Sequence, residues 1–540
     1  MSDTTTISTL TASAATSADT TGAGDITDLP VAVIGAGPIG LSAAAHLIEQ
    51  GLTPIVFEQG DCVGAAVRQW AHIRLFSPWQ YNIDPAARRL LETTDWVEPR
   101  QTALPYGREL VESYLEPLAA IPAIAETLRF KSTVVAVTRL GMDKTRTKDR
   151  ETTPFLVRVT SPEGTTDHLV RAVIDASGTW SQPNPLGQAG LHAPGEDAAS
   201  AFITTALPDV VGIERDRFAS KTVMVVGAGH SAANTLINVG QVAKNEPGTR
   251  VLWAVRGSGT AQKLYGGGDL DGLPARGALG SRLKTLVGDG VIELVTNFTI
   301  TKLDATDTGL AVTASTPDGP RTIDVDVLVP ATGFRPDLDI LRELRLELDP
   351  AVEAPRALGP LIDPEFHSCG TVPAHGADVL AHPEKEFYLV GMKSYGRAPT
   401  FLLATGYEQV RSVTAAIAGD LEAASQLQLN LPETGVCSTD LGGSCDTTPA
   451  TASAVSADSQ RAPSSCVTGA TGEVSCGTEI PGSSNTCGTG DVSEAGDTGE
   501  VPTANAGGCC SAPEPQLVTV GIPVGFPTGT AHGRSGDPDY

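Results

Sequence analysis

The chain has 540 residues, of which 63 are Asp or Glu and 37 are Lys or Arg, giving a formal net charge of −26. Such a surface repels phosphate backbones and anionic lipid, which argues against nucleic-acid binding and docking on an acidic membrane; it also keeps a protein in solution. With 41 % hydrophobic residues and no uninterrupted apolar run of bilayer-spanning length, the chain reads as a globular protein of two or three domains.

Residues 1–28 are rich in Ser, Thr and Ala and lack both a basic stretch and a long apolar core. They read as a disordered arm rather than a secretory signal, and the expected location is cytoplasmic. From residue 31 a strand (31–35) runs into Gly35-Ala36-Gly37-Pro38-Ile39-Gly40, followed by a helix (39–50) and a second strand (53–58). In this G-x-G-x-x-G pattern Gly35 permits a tight turn, Gly37 lets the backbone approach a diphosphate, and Gly40 lets helix and strand pack closely. The diphosphate rests on the helix N-terminus beside Pro38. Glu58, followed by Gln59, stands at the expected offset of about 20 residues for an acid that binds ribose hydroxyls. Three β-rich runs follow, at 130–140 (containing Val135), 155–160 and 169–176, the last leading into Ser177-Gly178.

The pattern then repeats. A strand (221–227) enters Gly227-Ala228-Gly229-His230-Ser231-Ala232, with alanine in the third small position, as the rule allows. A helix and a strand (251–256) follow; this strand ends in Arg256 rather than an acid, which suits a 2′-phosphate. The first site therefore suits FAD and the second NADPH. His230 and Ser231 head the helix and are candidates for the diphosphate, with Asn234 one turn further on. Runs at 291–303, 310–316 and 323–330 lead into Thr332-Gly333-Phe334. A strand at 387–391, ending in Gly391, and a helix at 400–418 return the chain to the first unit.

The expected fold is α/β: two Rossmann-type, three-layer dinucleotide-binding domains, the NADPH domain (218–332) inserted in a discontinuous FAD domain (29–217 and 333–430). Residues 431–540 are rich in Gly, Ser, Thr and Pro, carry seven of the nine cysteines, and read as a disordered Cys-containing tail. A short apolar patch within it, 517–526, could dock on the body.

The two glycine turns, Ala331-Thr332-Gly333-Phe334 and Tyr388-Leu389-Val390-Gly391 resemble the two-dinucleotide-binding-domain flavoproteins. Within that superfamily the chain resembles flavin-binding monooxygenase-like proteins of actinobacterial arsenic-resistance operons. The resemblance covers about residues 30–419. It implies an oxidoreductase that passes hydride from NADPH to FAD and acts on a small-molecule or metalloid substrate, a homodimer being compatible with it. By position, Arg68 and the aromatics Trp70, Phe76, Trp79 and Tyr81 would run past the flavin, or form a plain aromatic core. Gly391 would approach the FAD, but Met392 stands where related reductases carry an aspartate. Tyr265 with its three following glycines could form a lid or a plain surface loop.

Two departures narrow the chemistry. The F-x-G-x-x-x-H signature of flavin-containing monooxygenases is missing from 181–220, and the folded region holds only Cys62 and Cys369, with no redox-pair spacing. Cys62 is expected to pack as a small apolar residue. The adjacent tail thiols Cys509 and Cys510 could bind a soft metal or metalloid. No acid–base triad is evident, so the catalytic residues are left unassigned.

Overall fold

Each glycine turn crowns a parallel sheet whose strands alternate between two cores. The computed structural model describes residues 26–259, 265, 274–364, 372–398 and 401–429, all within one compact body of the chain. The expected N-terminal arm thus lies outside the described residues except for Ile26–Asp28, which form a turn of 3-10 helix rather than disordered chain. The cysteine tail with its 517–526 patch, Cys369, Cys509 and Cys510 also lie outside the described residues.

The first unit contains strands β1 (Val31–Ile34), β2 (Pro54–Phe57), β3 (Leu128–Arg129), β4 (Thr133–Arg139), β5 (Phe155–Ser161), β6 (Gly164–Val170) and β7 (Ala172–Asp175). The second contains β8 (Thr222–Val226), β9 (Arg250–Ala254), β10 (Ile292–Val295), β11 (Thr299–Ala305), β12 (Leu310–Thr316), β13 (Gly319–Val325) and β14 (Val327–Pro330). The return strand β15 (Phe387–Leu389) pairs parallel with β7. The parallel sheets run β15-β7-β1-β2-β3 and β10-β9-β8-β14, and the antiparallel sheets β4-β5-β6 and β11-β12-β13.

Successive side chains on a strand face opposite ways, so each strand feeds two layers. Val31 and Val33 of β1 pack toward the helical side, with α1 (Pro38–Glu49), while Ala32 and Ile34 pack against β4 and β5. β8 repeats this: Val223 and Val225 face α2 (His230–Asn245), and Met224 and Val226 face β11 to β13. The long helix α3 (Leu403–Ala418) covers the first sheet beside α1.

The 169–176 and 323–330 runs each divide into two strands that serve different sheets. At the divide, Arg171 N–H bonds Pro30 O, and Asp326 N–H bonds Thr222 O, both at 2.9 Å. The duplication therefore holds down to single hydrogen bonds. The run 291–303 likewise breaks between β10 and β11.

The expected boundary at 217 differs from the packing. Leu186, Ala193 and Ala199 lie in the second unit's core, and Ile203 bridges Leu328 of β14. These apolar residues cover the sheet face that Met224, Leu252 and Leu328 would otherwise leave wet.

A buried charge cluster ties the return segment to the β4-β5-β6 sheet. Glu384 accepts from Arg139 Nε at 2.8 Å and from Arg150 Nη2 at 2.8 Å, and both Arg139 and Glu384 are 1 % exposed in their side chains. No helix among the described residues is long and apolar enough to cross a membrane.

Candidate functional site: two dinucleotide crevices

In open α/β sheets, ligands bind beyond the carboxyl ends of the strands. Both glycine turns stand there. Gly35 has φ +98, and a Cβ on it would come within 2.9 Å of Ala176 O. Gly227 has φ +126, and its Cβ would meet Ala331 O at 2.0 Å. A Cβ on Gly40 would meet Gly35 O at 1.8 Å, the close helix–strand contact its position demands. Gly37 differs: its backbone is extended (φ −80, ψ −172) and a Cβ would touch nothing within 4 Å. Packing within the protein therefore does not require glycine at this position. Pro38 opens α1, where its missing N–H costs nothing.

Glu58 is held in place by its neighbours, accepting from Ala36 N–H at 2.7 Å and Gly60 N–H at 2.8 Å. Each carboxylate oxygen keeps a lone pair for a ribose hydroxyl. Gln59 is exposed beside it. Val135 is the extra residue of a bulge in β4, between Val134 and Ala136, and is 42 % exposed. Ser177 is exposed, and its hydroxyl donates to Asp175 Oδ1 at 2.6 Å. Gly178 (φ +70) follows it, and Gly391 (φ +67) lies against Ile39 of α1. Glu58, Ser177 and Gly391 each follow the carboxyl end of a strand of the first parallel sheet, β2, β7 and β15.

Arg68 deviates from its expected role. Its Nη2 lies 2.5 Å from Glu116 Oε1, so a flavin or phosphate would have to compete with that carboxylate. Cys62 also differs: it is only partly buried, and burial together with a hydrogen bond to Asp61 raises its thiol pKa. Among the aromatics, Trp70 and Trp79 belong to the core, and Trp70 packs where a Cβ on Gly107 would clash at 2.8 Å. Phe76 is buried as well, at 5 % exposure, and meets the His230 ring of the second turn at 5.1 Å, while Tyr81 is half-buried.

At the second turn, His230 and Ser231 begin α2 and Gly229 is its N-cap. Burial, with Arg276 nearby, pushes the His230 pKa down to about 3. Asn234 is spent within the helix, donating to His230 O. Arg256 sits two residues past β9, half-buried, one residue beyond Val255, which holds the position that corresponds to Glu58. Trp253 was not singled out by sequence; fully buried, its indole N–H donates to Gly227 O at 2.7 Å and pins the turn. Its ring meets Tyr265 edge-on at 6.1 Å; the glycines after Tyr265 lie outside the described residues. Thr332 Oγ1 donates to Asn184 O at 2.6 Å, and Asn184 N–H bonds Gly333 O at 2.9 Å. The two straps joining the units are thereby laced together, and Trp180 stacks on Phe334 at 4.9 Å between them. Among the described residues no cluster of three His, Cys, Asp or Glu could hold a metal ion.

The Gly391 turn rests on a neutral network. Gly391 N–H donates to Gln409 Oε1 at 2.7 Å, and Gln409 Nε2 donates to Ser394 Oγ at 2.9 Å and to His375 Nε2 at 2.8 Å. His375 Nε2 must therefore accept, leaving Nδ1–H to donate to Pro373 O at 2.9 Å. Burial holds His375 and His382 neutral, each pushed from 6.5 down to about 4. The unfolded chain takes up these protons first, so the stabilisation is full above pH 6.5 and is lost as pH falls toward about 4. Each such shift corresponds to about 3 kcal/mol. Thermal unfolding followed against pH should show Tm dropping through this window, with a shallower drop in His375→Gln. An equal drop in the variant would refute the assignment.

Comparison with known proteins supports the fold and the first cofactor. Residues 30–151 match the family model described as FAD dependent oxidoreductase. A curated relative, the flavin-containing monooxygenase FMO GS-OX-like 2 of Arabidopsis thaliana, is 26 % identical over 241 residues, 40 % of this chain and 48 % of the relative. The chain thus spans about half the length of the curated relatives it matches. Among solved structures, the bacillithiol disulfide reductase Bdr (YpdA) from Bacillus cereus aligns with TM-score 0.52 and 17 % identity, covering 72 % of this chain and 99 % of that one. The FAD-bound cadaverine monooxygenase DfoA from Erwinia amylovora aligns with TM-score 0.50 and 12 % identity, covering 75 % and 99 %. The chain therefore has the fold of the two-dinucleotide-binding flavoproteins, and its residues 30–151 are similar to the FAD dependent oxidoreductase family.

Proposed function

We propose that this protein is an NADPH-using, FAD-dependent oxidoreductase of the monooxygenase kind, acting on a small soft nucleophile or a metalloid, with arsenic detoxification as its setting. The reading is supported by the repeated glycine turns, one followed by Glu58 just past its second strand and the other by Arg256 one residue beyond the corresponding position, joined by laced straps that carry Trp180 and Phe334. In this reading FAD occupies the first crevice and NADPH the second. FAD supplies the chemistry: reduced by NADPH, it passes an electron pair onward. The protein orients the two dinucleotides and shields the space between them. With molecular oxygen as acceptor, one oxygen atom goes to the substrate lone pair and the other leaves as water. The sequence favours this over an internal dithiol, because residues 26–429 hold only Cys62 and Cys369. The alternatives are an NADPH-dependent reductase whose electrons reach a disulfide or metal through the tail thiols, and a non-catalytic metalloid-binding flavoprotein.

NADPH consumption by the FAD-loaded protein, with and without arsenite and with hydrogen peroxide measured alongside, tests the reading. Arsenite-stimulated turnover with little peroxide supports it; turnover that arsenite leaves unchanged removes the metalloid. A companion variant, Arg256→Gln, should raise the KM for NADPH roughly tenfold by losing one charge-assisted contact, with NADH unaffected. Equal effects on both cofactors would show that Arg256 does not read the 2′-phosphate.

A further inference from the structure

A fully buried lysine lies behind the wall of the first crevice. Lys393 and Asp175 are both 0 % exposed, with Nζ 2.7 Å from Asp175 Oδ2. Nζ also donates to Ser177 Oγ at 3.0 Å, while Ser177 N–H and Oγ both donate to Asp175 Oδ1, at 3.1 and 2.6 Å. Lys393 belongs to the turn Gly391–Tyr395, which follows β15, and Asp175 ends β7. Val390 N–H adds a backbone bond to Asp175 O at 3.0 Å. One ammonium therefore ties two crevice loops carried by neighbouring strands.

The sheet order says which half of the dinucleotide these loops face. Across β15-β7-β1-β2-β3, Glu58 marks the ribose end at β2, and the diphosphate belongs over β1 and α1. The remaining half extends over β7 and β15. That is also the side from which the straps with Trp180 and Phe334 lead to the second unit. Burying a charge pair is costly and is weak evidence of a contribution to stability, since apolar replacements often fold as well or better. Its place behind Ser177, which is exposed to the crevice, points to positioning.

We propose that Lys393, paired with Asp175, is a positioning residue for the flavin half of FAD: it fixes the Ser177–Gly178 strap and the Gly391 turn at the separation the ring requires. This rests on the assignment of FAD to the first crevice. Lys393 carries out the task next to Met392, which offers no charge of its own.

The test compares the full-length protein with Asp175→Asn/Lys393→Met, which removes both charges and leaves no unpaired charge buried. The double variant should melt close to wild type yet bind FAD at least roughly tenfold more weakly, the worth of a charge-assisted hydrogen bond. The circular dichroism of its bound flavin should weaken as the ring loosens. Wild-type affinity and an unchanged flavin spectrum would overturn the inference, and so would a double variant that fails to fold, since the pair would then serve the fold. A wild-type chain that binds no FAD would instead sink the cofactor assignment beneath it.

Discussion

Glu384→Ala is expected to cost the folded state about 3–5 kcal/mol, the usual penalty for removing one partner of a buried ion pair. Glu384 is the single carboxylate facing both Arg139 and Arg150, and also accepts from Arg345 N–H at 3.1 Å. Its hydrogen bonds hold its carboxyl below the usual range against the opposing effect of burial. Without it, two guanidiniums that are 1 % and 5 % exposed in their side chains face each other. Arg139 keeps its carbonyl contacts with Thr153 and Lys385 and its place over the Phe155 ring at 3.6 Å, but these leave its charge uncompensated. Chemical denaturation would measure the loss; a midpoint near wild type would show that the cluster relaxes to admit water.

Gly37→Val should fold normally and lose FAD affinity on the order of a hundredfold, about 2.7 kcal/mol. The position is a clean test because its extended backbone suits any residue and a new Cβ meets no protein atom within 4 Å. The added branch points are then directed at what fills the space in front of the helix start. Substitutions at Gly35, Gly40 or Gly227 would confound folding with binding, since each drives a Cβ into backbone. Equilibrium titration with FAD gives the answer. Unchanged affinity would mean that no diphosphate approaches this helix start.

The sequence made legible whatever is written locally. Gly35, Gly37 and Gly40 follow an apolar strand and open a helix, with Glu58 at the right offset; Gly227, Gly229 and Ala232 repeat the pattern, so the duplication and both crevices could be read directly. Strand ends were harder where one apolar run serves two sheets. At Arg171 and Asp326 the chain passes from an antiparallel to a parallel sheet while remaining β-rich, and composition does not register the change. Partners remote in sequence left no local mark. Arg139 and Glu384 lie 245 residues apart, and Lys393 and Asp175 lie 218 apart. A lysine in a list of residues reads as surface until its acid is found. Trp253 and Gln409 act on glycine turns through single hydrogen bonds that no spacing rule encodes. Arg68 carries the same lesson: its partner Glu116 lies 48 residues further along the chain.

The proposed function requires two bound dinucleotides that face each other closely enough to exchange a hydride. The most direct measurement is the visible spectrum of the FAD-loaded protein mixed anaerobically with one equivalent of NADPH. The flavin band should bleach completely, and more slowly with NADH. A chain that takes up no flavin, or a flavin band that stays unbleached while NADPH remains unconsumed, would contradict the account.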